Sequence, residues 1–250
     1  MAEPDPDRVS LLLSTYLFQD LSPVQVEPLA HTATLRRAVR GEYICHVGDP
    51  ADAIYVVASG QIKDSIVTED GDEIVHSFFG PGMVIGEAGF FATERNRVMA
   101  LIAVETSALL ILGRDQLLPF LQRHPQVMAR VLEGLASIAR GQTELIAALA
   151  RRPLQDRLLL RLLELAETNA QSSGVEATTP KISQSTLAAM VGSSRENVNR
   201  ALAALATEGV VRIESGRYVI TDPKRSRQQV SQGWPLLGRP NRRSDLGAPP

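Results

Sequence analysis

Short β-rich runs, each closed by glycine, proline or an Asp-Gly pair, fill the chain from about Arg36 to Leu112: EYICHVGDP, AIYVVASG, QIKDSIVTEDGDE, IVHSFF, GPGMVIGEAG and VMALIAVETSALLIL. Strands this short and this closely punctuated predict an antiparallel sandwich or barrel, since tight turns join only antiparallel neighbours. Asp70-Gly71, between two alternating runs, is a strong hairpin signal because the left-handed backbone of a tight turn favours that pair. Gly48-Asp49-Pro50, Gly60 and Gly80-Pro81-Gly82 punctuate the rest. Ahead of the strands, LLLSTYLFQDLSPVQVEPLAHTA reads as short helices, with Ser22-Pro23 a helix start.

Near Asp115 the texture changes to helix and stays so to about Arg152. Val131, Leu135, Ile138, Gln142, Leu145 and Leu149 follow one another at alternating spacings of 4 and 3, the rhythm of a coiled-coil seam. This helix is expected to pair with a copy of itself in a homodimer; packing on its own domain is the alternative. Gln142 is the polar member of the seam and needs a hydrogen-bond partner there, either its mate or something bound. Arg152-Pro153 breaks the helix and opens a second unit. LQDRLLLRLLELAETNA is an amphipathic helix, QSSGVEATTP a polar loop, and SQSTLAAMVGSSRENVNRALAALATEG two helices joined at Gly192. VVRIESGRYVITD follows as a hairpin turning at Ser215-Gly216. The expected division is an α+β architecture with a β-barrel and N-terminal helices in 1–114, a dimerisation helix in 115–152, a winged helix-turn-helix in 153–222 and a basic, disordered tail in 223–250.

Charge follows this division. Residues 1–150 carry 11 basic against 19 acidic side chains, and residues 151–250 carry 15 against 9, although the net charge of the chain is only -2. An acidic front joined to a basic back suits a regulatory part attached to a part that meets a polyanion. The single cysteine, Cys45, excludes an internal disulfide, a four-cysteine iron–sulfur cluster and an all-cysteine zinc site. It reads as a small core residue, and His31, His76 and His124 lack metal-ligand spacing. Glu69, Asp70, Asp72 and Glu73 read as a solvated acidic hairpin tip. The acidic start MAEPDPDRVS and the lack of an apolar run near the roughly 18 residues of a membrane span lead to the expectation of a cytoplasmic protein that meets no membrane. No nucleophile elbow, HExxH, Walker loop or paired catalytic constellation is present, so an enzyme is not expected.

Two motifs carry chemistry. In Gln184 to Ala206, Gly192 suits a left-handed turn, and Leu187, Val191, Val198 and Leu202 can lock two helices at a steep angle. That leaves Ser193-Ser194-Arg195-Glu196-Asn197-Val198-Asn199-Arg200 facing outward at the start of the second helix. Arginine can bind guanine O6 and N7 through two hydrogen bonds, and glutamate can accept from the cytosine amino group. A solvated helix face is the plainer alternative, made less attractive by the adjacent hairpin and the basic tail. The second motif is Gly86-Glu87-Ala88-Gly89-Phe90-Phe91 with Arg97 eleven residues after Gly86. A glycine for close backbone approach, an acid for a sugar hydroxyl and an arginine for a phosphate describe a nucleotide pocket.

With these residues the chain resembles the CRP/FNR family of bacterial transcription regulators over roughly Leu17 to Asp222. Gly41, Gly48, Gly60, Gly71, Gly82 and Gly86 fall at the family's barrel turns. The stretch VGSSRENVNRAL is similar to its recognition-helix pattern VG.SRETV.R.L at Val191, Gly192, Ser194, Arg195, Glu196, Val198, Arg200 and Leu202. The resemblance implies a homodimer that binds palindromic double-stranded DNA. Ser194, Arg195, Glu196, Asn199 and Arg200 would lie at the DNA, with Arg195, Glu196 and Arg200 reading a TGTGA-like half-site, and RNA polymerase is a candidate further partner. It also implies cyclic AMP as effector, no metal, and a site built from Gly86, Glu87, Ala88, Arg97 and Val98, with Gln142 and Thr143 against the purine. Position 98 is Val where cyclic-AMP-binding members carry Ser or Thr, so only its backbone N–H is left for the phosphate. Another small effector, or none, therefore stays open. A cyclic-nucleotide module that regulates a partner protein is the alternative from another class, and it would leave Arg195, Glu196 and Arg200 without a role. The cysteine cluster of oxygen-sensing members is absent.

Overall fold

The computed structural model describes residues 7–67, 73–151, 153–173 and 177–231, with the side chains of 144–151, 171–173 and 231 outside that description. Helices α1 (Arg8–Leu13) and α2 (Pro23–Thr32) lead into β1 (Thr34–Ala38), β2 (Tyr43–Cys45), β3 (Ala53–Ser59), β4 (Ile62–Val67), β5 (Glu73–Phe79) and β6 (Val84–Ile85). A short α3 (Glu87–Phe91) precedes β7 (Ala100–Ala103) and β8 (Ser107–Gly113). Then come α4 (Arg114–Arg123), α5 (Pro125–Arg151), α6 (Leu154–Ser173), α7 (Gln184–Val191), α8 (Arg195–Thr207), β9 (Val211–Glu214), β10 (Arg217–Ile220) and α9 (Pro223–Ser231).

The strands form two antiparallel four-stranded sheets, ordered β1-β8-β3-β6 and β2-β7-β4-β5, which face each other as a jelly roll. β3 and β8 read as nearly continuous apolar runs because both of their faces are covered. Tyr55, Val57 and Leu109 point into the core between the sheets, with Ile44, Cys45, Ile62 and Leu101. Ile54, Val56, Leu110 and Leu112 point the other way, into a second core made with α1, α2, α4 and α5. β4 pairs with β5 down to Val67 opposite Glu73, as the Asp70-Gly71 signal predicts, while the turn itself lies outside the described residues.

The expected single helix of 115–152 is two helices. His124 adopts φ -128° and ψ 74° between α4 and α5, because the residue before Pro125 is pushed out of helical conformation and Pro125 can start the next helix. The seam also behaves differently from expectation at its start: Val131 is 2% exposed and, with Leu135, packs against the chain's own barrel. Among the described residues, Leu132 and Ile138 are the exposed large apolar side chains of α5, at 61% and 41%, and the side chains of Leu145 and Leu149 lie outside the description.

The third core gathers α6, α7, α8, β9 and β10, with Leu158, Leu162, Leu187, Val198, Leu202 and Tyr218 buried in it. Gly192 caps α7 in the left-handed region (φ 60°), and Ser215-Gly216 turns the wing with φ 50° and 80°, both as the sequence predicts. Residues 223–231, expected to belong to a disordered tail, form α9 instead. Pro223 starts it, the Asp222 side chain accepts from the Arg225 N–H at 2.9 Å, and Ser226 and Val230 are buried, Val230 within the core that α6 shares. Arg227 also pairs with Glu167. Residues 232–250 lie outside the described residues.

β5 belongs to both parts of the molecule. Its Val75 and Phe78 are buried in the helical core with α6, α7 and α8, so the helix-turn-helix is docked on the barrel. Phe78→Ala should therefore cost about 3 kcal/mol or more of unfolding free energy and speed hydrogen exchange along α7. An unchanged unfolding midpoint would show that the two units do not lean on each other through this strand.

Candidate functional site

A cavity of about 850 Å³ lies between the barrel, α5 and the helical unit, a size within the range of small-molecule sites. Its barrel wall is the turn from β6 into α3. Gly86 caps α3 with φ 98°, a conformation that side chains with a Cβ rarely adopt. A Cβ there would also lie 2.5 Å from Nη1 of Arg97, so the glycine is required twice over.

Arg97 is buried at 4% exposure beneath this turn. Its Nη1 donates to the Gly86 carbonyl at 3.2 Å, and its Nη2 donates to the Ala53 carbonyl at 2.6 Å and to the Tyr55 hydroxyl at 3.1 Å. The guanidinium also lies 4.9 Å from the centre of the Tyr55 ring. Of its five N–H donors, three are taken by these bonds and the buried Nε–H has no hydrogen-bond partner among the described residues. A cation held at a cavity wall with donors to spare is suited to an anion.

Glu87 follows Gly86 and is likewise buried. It accepts from the Tyr16 hydroxyl at 2.9 Å, and burial holds its carboxyl above the usual range against the opposing pull of that bond and of Arg97. Burial and the facing carboxylate push the Tyr16 phenol up in turn, which keeps it a donor. Tyr16 reaches Glu87 past Gly134 of α5, where a Cβ would come within 2.5 Å of the Tyr16 oxygen. Ala88 and Val98 also line the cavity, and Val98 is 60% exposed.

From the far side come α5, α6 and α7. Gln142 lines the cavity, and its side chain lies 2.6 Å from His76 Nε2. Thr143 does not line the cavity: its hydroxyl donates to the Ala139 carbonyl of its own helix and is exposed, because adjacent helical residues point about 100° apart. Arg157, Arg161, Met190 and Val191 complete the lining, so one cavity touches both units.

Sequence reasoning missed Tyr16, Asp64 and His76. The first left no signal, being an aromatic in a helical stretch. Asp64 did leave one, as a carboxylate in phase with inward-facing Ile62 on β4, where a charge must find a partner.

At the start of α8, Ser194 caps the helix and accepts from the Asn197 N–H at 3.2 Å. Val198, Leu202 and Leu205 are buried beneath, which turns Ser194, Arg195, Glu196, Asn199 and Arg200 out to solvent. Asn199 accepts from Gln184 of α7 at 3.1 Å, and Arg200 donates to Asn197. This is one exposed polar face at a helix N-terminus, with a β-wing beside it. Among the described residues no group of side chains could hold a metal ion, and no helix is long and apolar enough to cross a membrane.

Residues 35–124 match the cyclic nucleotide-binding domain family and residues 156–225 match the Crp-like helix-turn-helix domain family. The chain is 33% identical over 206 residues to the cyclic AMP receptor protein of Thermus thermophilus, covering 82% of this chain and 92% of that one. It is 29% identical over 216 residues to the CRP-like cAMP-activated global transcriptional regulator of Mycobacterium tuberculosis, covering 86% of this chain and 96% of that one. Among solved structures, the c-di-GMP responsive global regulator CLP of Xanthomonas campestris has the same fold, with a TM-score of 0.66, 23% identity and coverage of 80% of this chain and all of that one.

Burial raises the Glu87 pKa in the folded state, so the native protein binds that proton more tightly than the unfolded chain does. The stability contributed by this site is then fully present below the unfolded pKa and is lost as pH rises through the folded pKa. Glu87→Gln, which keeps an acceptor for Tyr16, should raise the thermal midpoint of the unliganded protein at neutral pH, and the gain should vanish in acid. Equal midpoints at neutral pH would mean that Tyr16 and Arg97 compensate the buried charge fully.

Proposed function

The chain belongs to the CRP/FNR family of transcription regulators, and we propose that it is a homodimeric regulator whose cavity takes cyclic AMP and whose α8 reads a TGTGA-like inverted repeat. The observation that carries the effector reading is the buried Arg97 guanidinium at the cavity wall beneath the Gly86 turn, a cation with no carboxylate bonded to it among the described residues. The cyclic phosphate would face the Arg97 guanidinium, Gly86 would let it approach, and Glu87 would exchange Tyr16 for the ribose hydroxyl. Val98 contributes its backbone N–H alone, and Ala88 leaves room beside the sugar. Gln142 would meet the purine from α5; Thr143 is turned away from the cavity of its own chain. In the DNA-bound dimer, Arg195, Glu196 and Arg200 would face base edges, with Ser194 and Asn199 at their flank. The proposed functional division is an effector unit through β8, the α4–α5 connection, and a DNA-binding unit from Leu154 that takes in α9.

Because the cavity is lined from both units, a ligand that changes the set of the helical unit on the barrel also changes α8. Effector and DNA must then tighten each other by the same factor. Titration calorimetry of the dimer with cyclic AMP, with and without a palindromic TGTGA-type duplex, tests this. Cyclic AMP should bind, more tightly with DNA present, and Arg97→Ala should remove the coupling. Arg195→Ala should cost about 1–3 kcal/mol on the palindrome and little on random DNA. Equal loss on both would make Arg195 a phosphate contact, and a protein that binds the duplex but no nucleotide would refute the effector reading.

A second reading is favoured by the spread of arginines round the cavity, Arg97 from the barrel and Arg130, Arg157 and Arg161 from α5 and α6. Arg130 already pairs with Asp20 and Glu133, and Arg161 with Glu164, so a ligand with two phosphates, such as the cyclic di-GMP to which the Xanthomonas campestris regulator responds, would displace those carboxylates. Titration with cyclic di-GMP beside cyclic AMP separates the two readings.

A further inference from the structure

The cavity wall opposite Arg97 holds a polar relay that the motifs do not account for. β4 and β5 pair in regular register until Asp64 opposite Ser77, after which Ser65 meets Val75 and His76 is left over as a bulge. Bulges re-aim a side chain, and this one brings His76 between Asp64 and α5. Asp64, 8% exposed, accepts from the Ser77 N–H at 2.5 Å through Oδ1, and its Oδ2 lies 3.0 Å from His76 Nδ1. His76 Nε2 lies 2.6 Å from Gln142 Nε2. All four residues line the cavity.

The donors and acceptors follow from this chain of contacts. An ionised carboxylate only accepts, so the proton of neutral His76 sits on Nδ1 and Nε2 is an acceptor. The Gln142 amide nitrogen must donate to it, which fixes the direction of the amide and leaves Gln142 with one N–H and its Oε1. One donor and one acceptor side by side complement adenine, whose N6 donates and N7 accepts. Guanine presents two acceptors, O6 and N7, on that edge and would set one against Oε1. We infer that His76, held by Asp64, is a positioning residue that fixes the Gln142 amide and so makes the cavity prefer adenine to guanine in the nucleotide it binds. The inference rests on the cyclic-nucleotide reading above.

The test has two arms, both on the full chain at a pH where imidazole is neutral. Nitrogen-15 spectra of labelled histidine in the nucleotide-free protein, assigned with His76→Leu, should show His76 protonated at Nδ1 with Nε2 accepting; an Nε2–H tautomer overturns the inference whatever the protein binds. Titrations with cyclic AMP and cyclic GMP should show the wild type preferring cyclic AMP by roughly tenfold or more. That ratio should fall towards unity in His76→Leu and in Asp64→Asn, which frees the tautomer, while each variant still binds cyclic AMP. An undiminished ratio in both variants overturns the positioning role. If the wild type binds neither nucleotide although the tautomer is as expected, the effector reading fails and the base preference falls with it.

Discussion

The burial of the Arg97 guanidinium beneath the Gly86 turn is the constraint on which the rest of the site depends. A buried cation is tolerated only where carbonyls, hydroxyls or an anion take its donors. Here the Ala53 and Gly86 carbonyls and the Tyr55 hydroxyl take three of them, which ties β3, the β6–α3 turn and the segment before β7 into one body. Gly86 is compelled by the same contact, since any Cβ would strike the guanidinium. Glu87 is then carried into the interior beside it, and Tyr16, threaded past Gly134, gives its carboxylate a neutral donor. In the cavity floor each member thus holds the next.

The opposite wall is built on different physics. β5 is a barrel strand on one side and part of the helical core on the other, with Val75 and Phe78 buried among α6, α7 and α8. Between those two anchors the strand bulges at His76, which links Asp64 of the barrel to Gln142 of α5. The helix-turn-helix is thus joined to the barrel through an apolar contact, and α5 is joined to the barrel through a short hydrogen-bonded chain at the cavity's edge. The cavity is lined from the barrel, α5, α6 and α7, and α6 and α7 pack in turn against α8.

Much of this was legible in the sequence because it depends on local chemistry. The strand texture of 36–112, the glycine at the turn between α7 and α8, the Ser194 cap and the Ser215-Gly216 wing are each set by backbone conformations that few residues tolerate. Gly86, Glu87 and Arg97 were recognisable by type and spacing. Other features depended on distant neighbours. The seam of α5 is a sound heptad pattern, yet Val131 is used by the chain's own barrel, because an apolar stripe does not specify which surface covers it. The basic stretch after Pro223 looked too polar to fold, and α9 forms because Val230 and Ser226 find cover in tertiary packing.

The sequence by itself determined the two-part architecture, the recognition-helix face and the glycine–acid–arginine set, since these follow from periodicity, turn conformation and residue type within short windows. Only the tertiary structure decided that Tyr16 would satisfy Glu87, 71 residues away, and that His76 would stand between Asp64 and Gln142, 66 residues away from the latter. Hydrogen-bond partners for buried polar groups are chosen by which elements pack together, and a strand register displaced by one residue turns a side chain to the other face of its sheet.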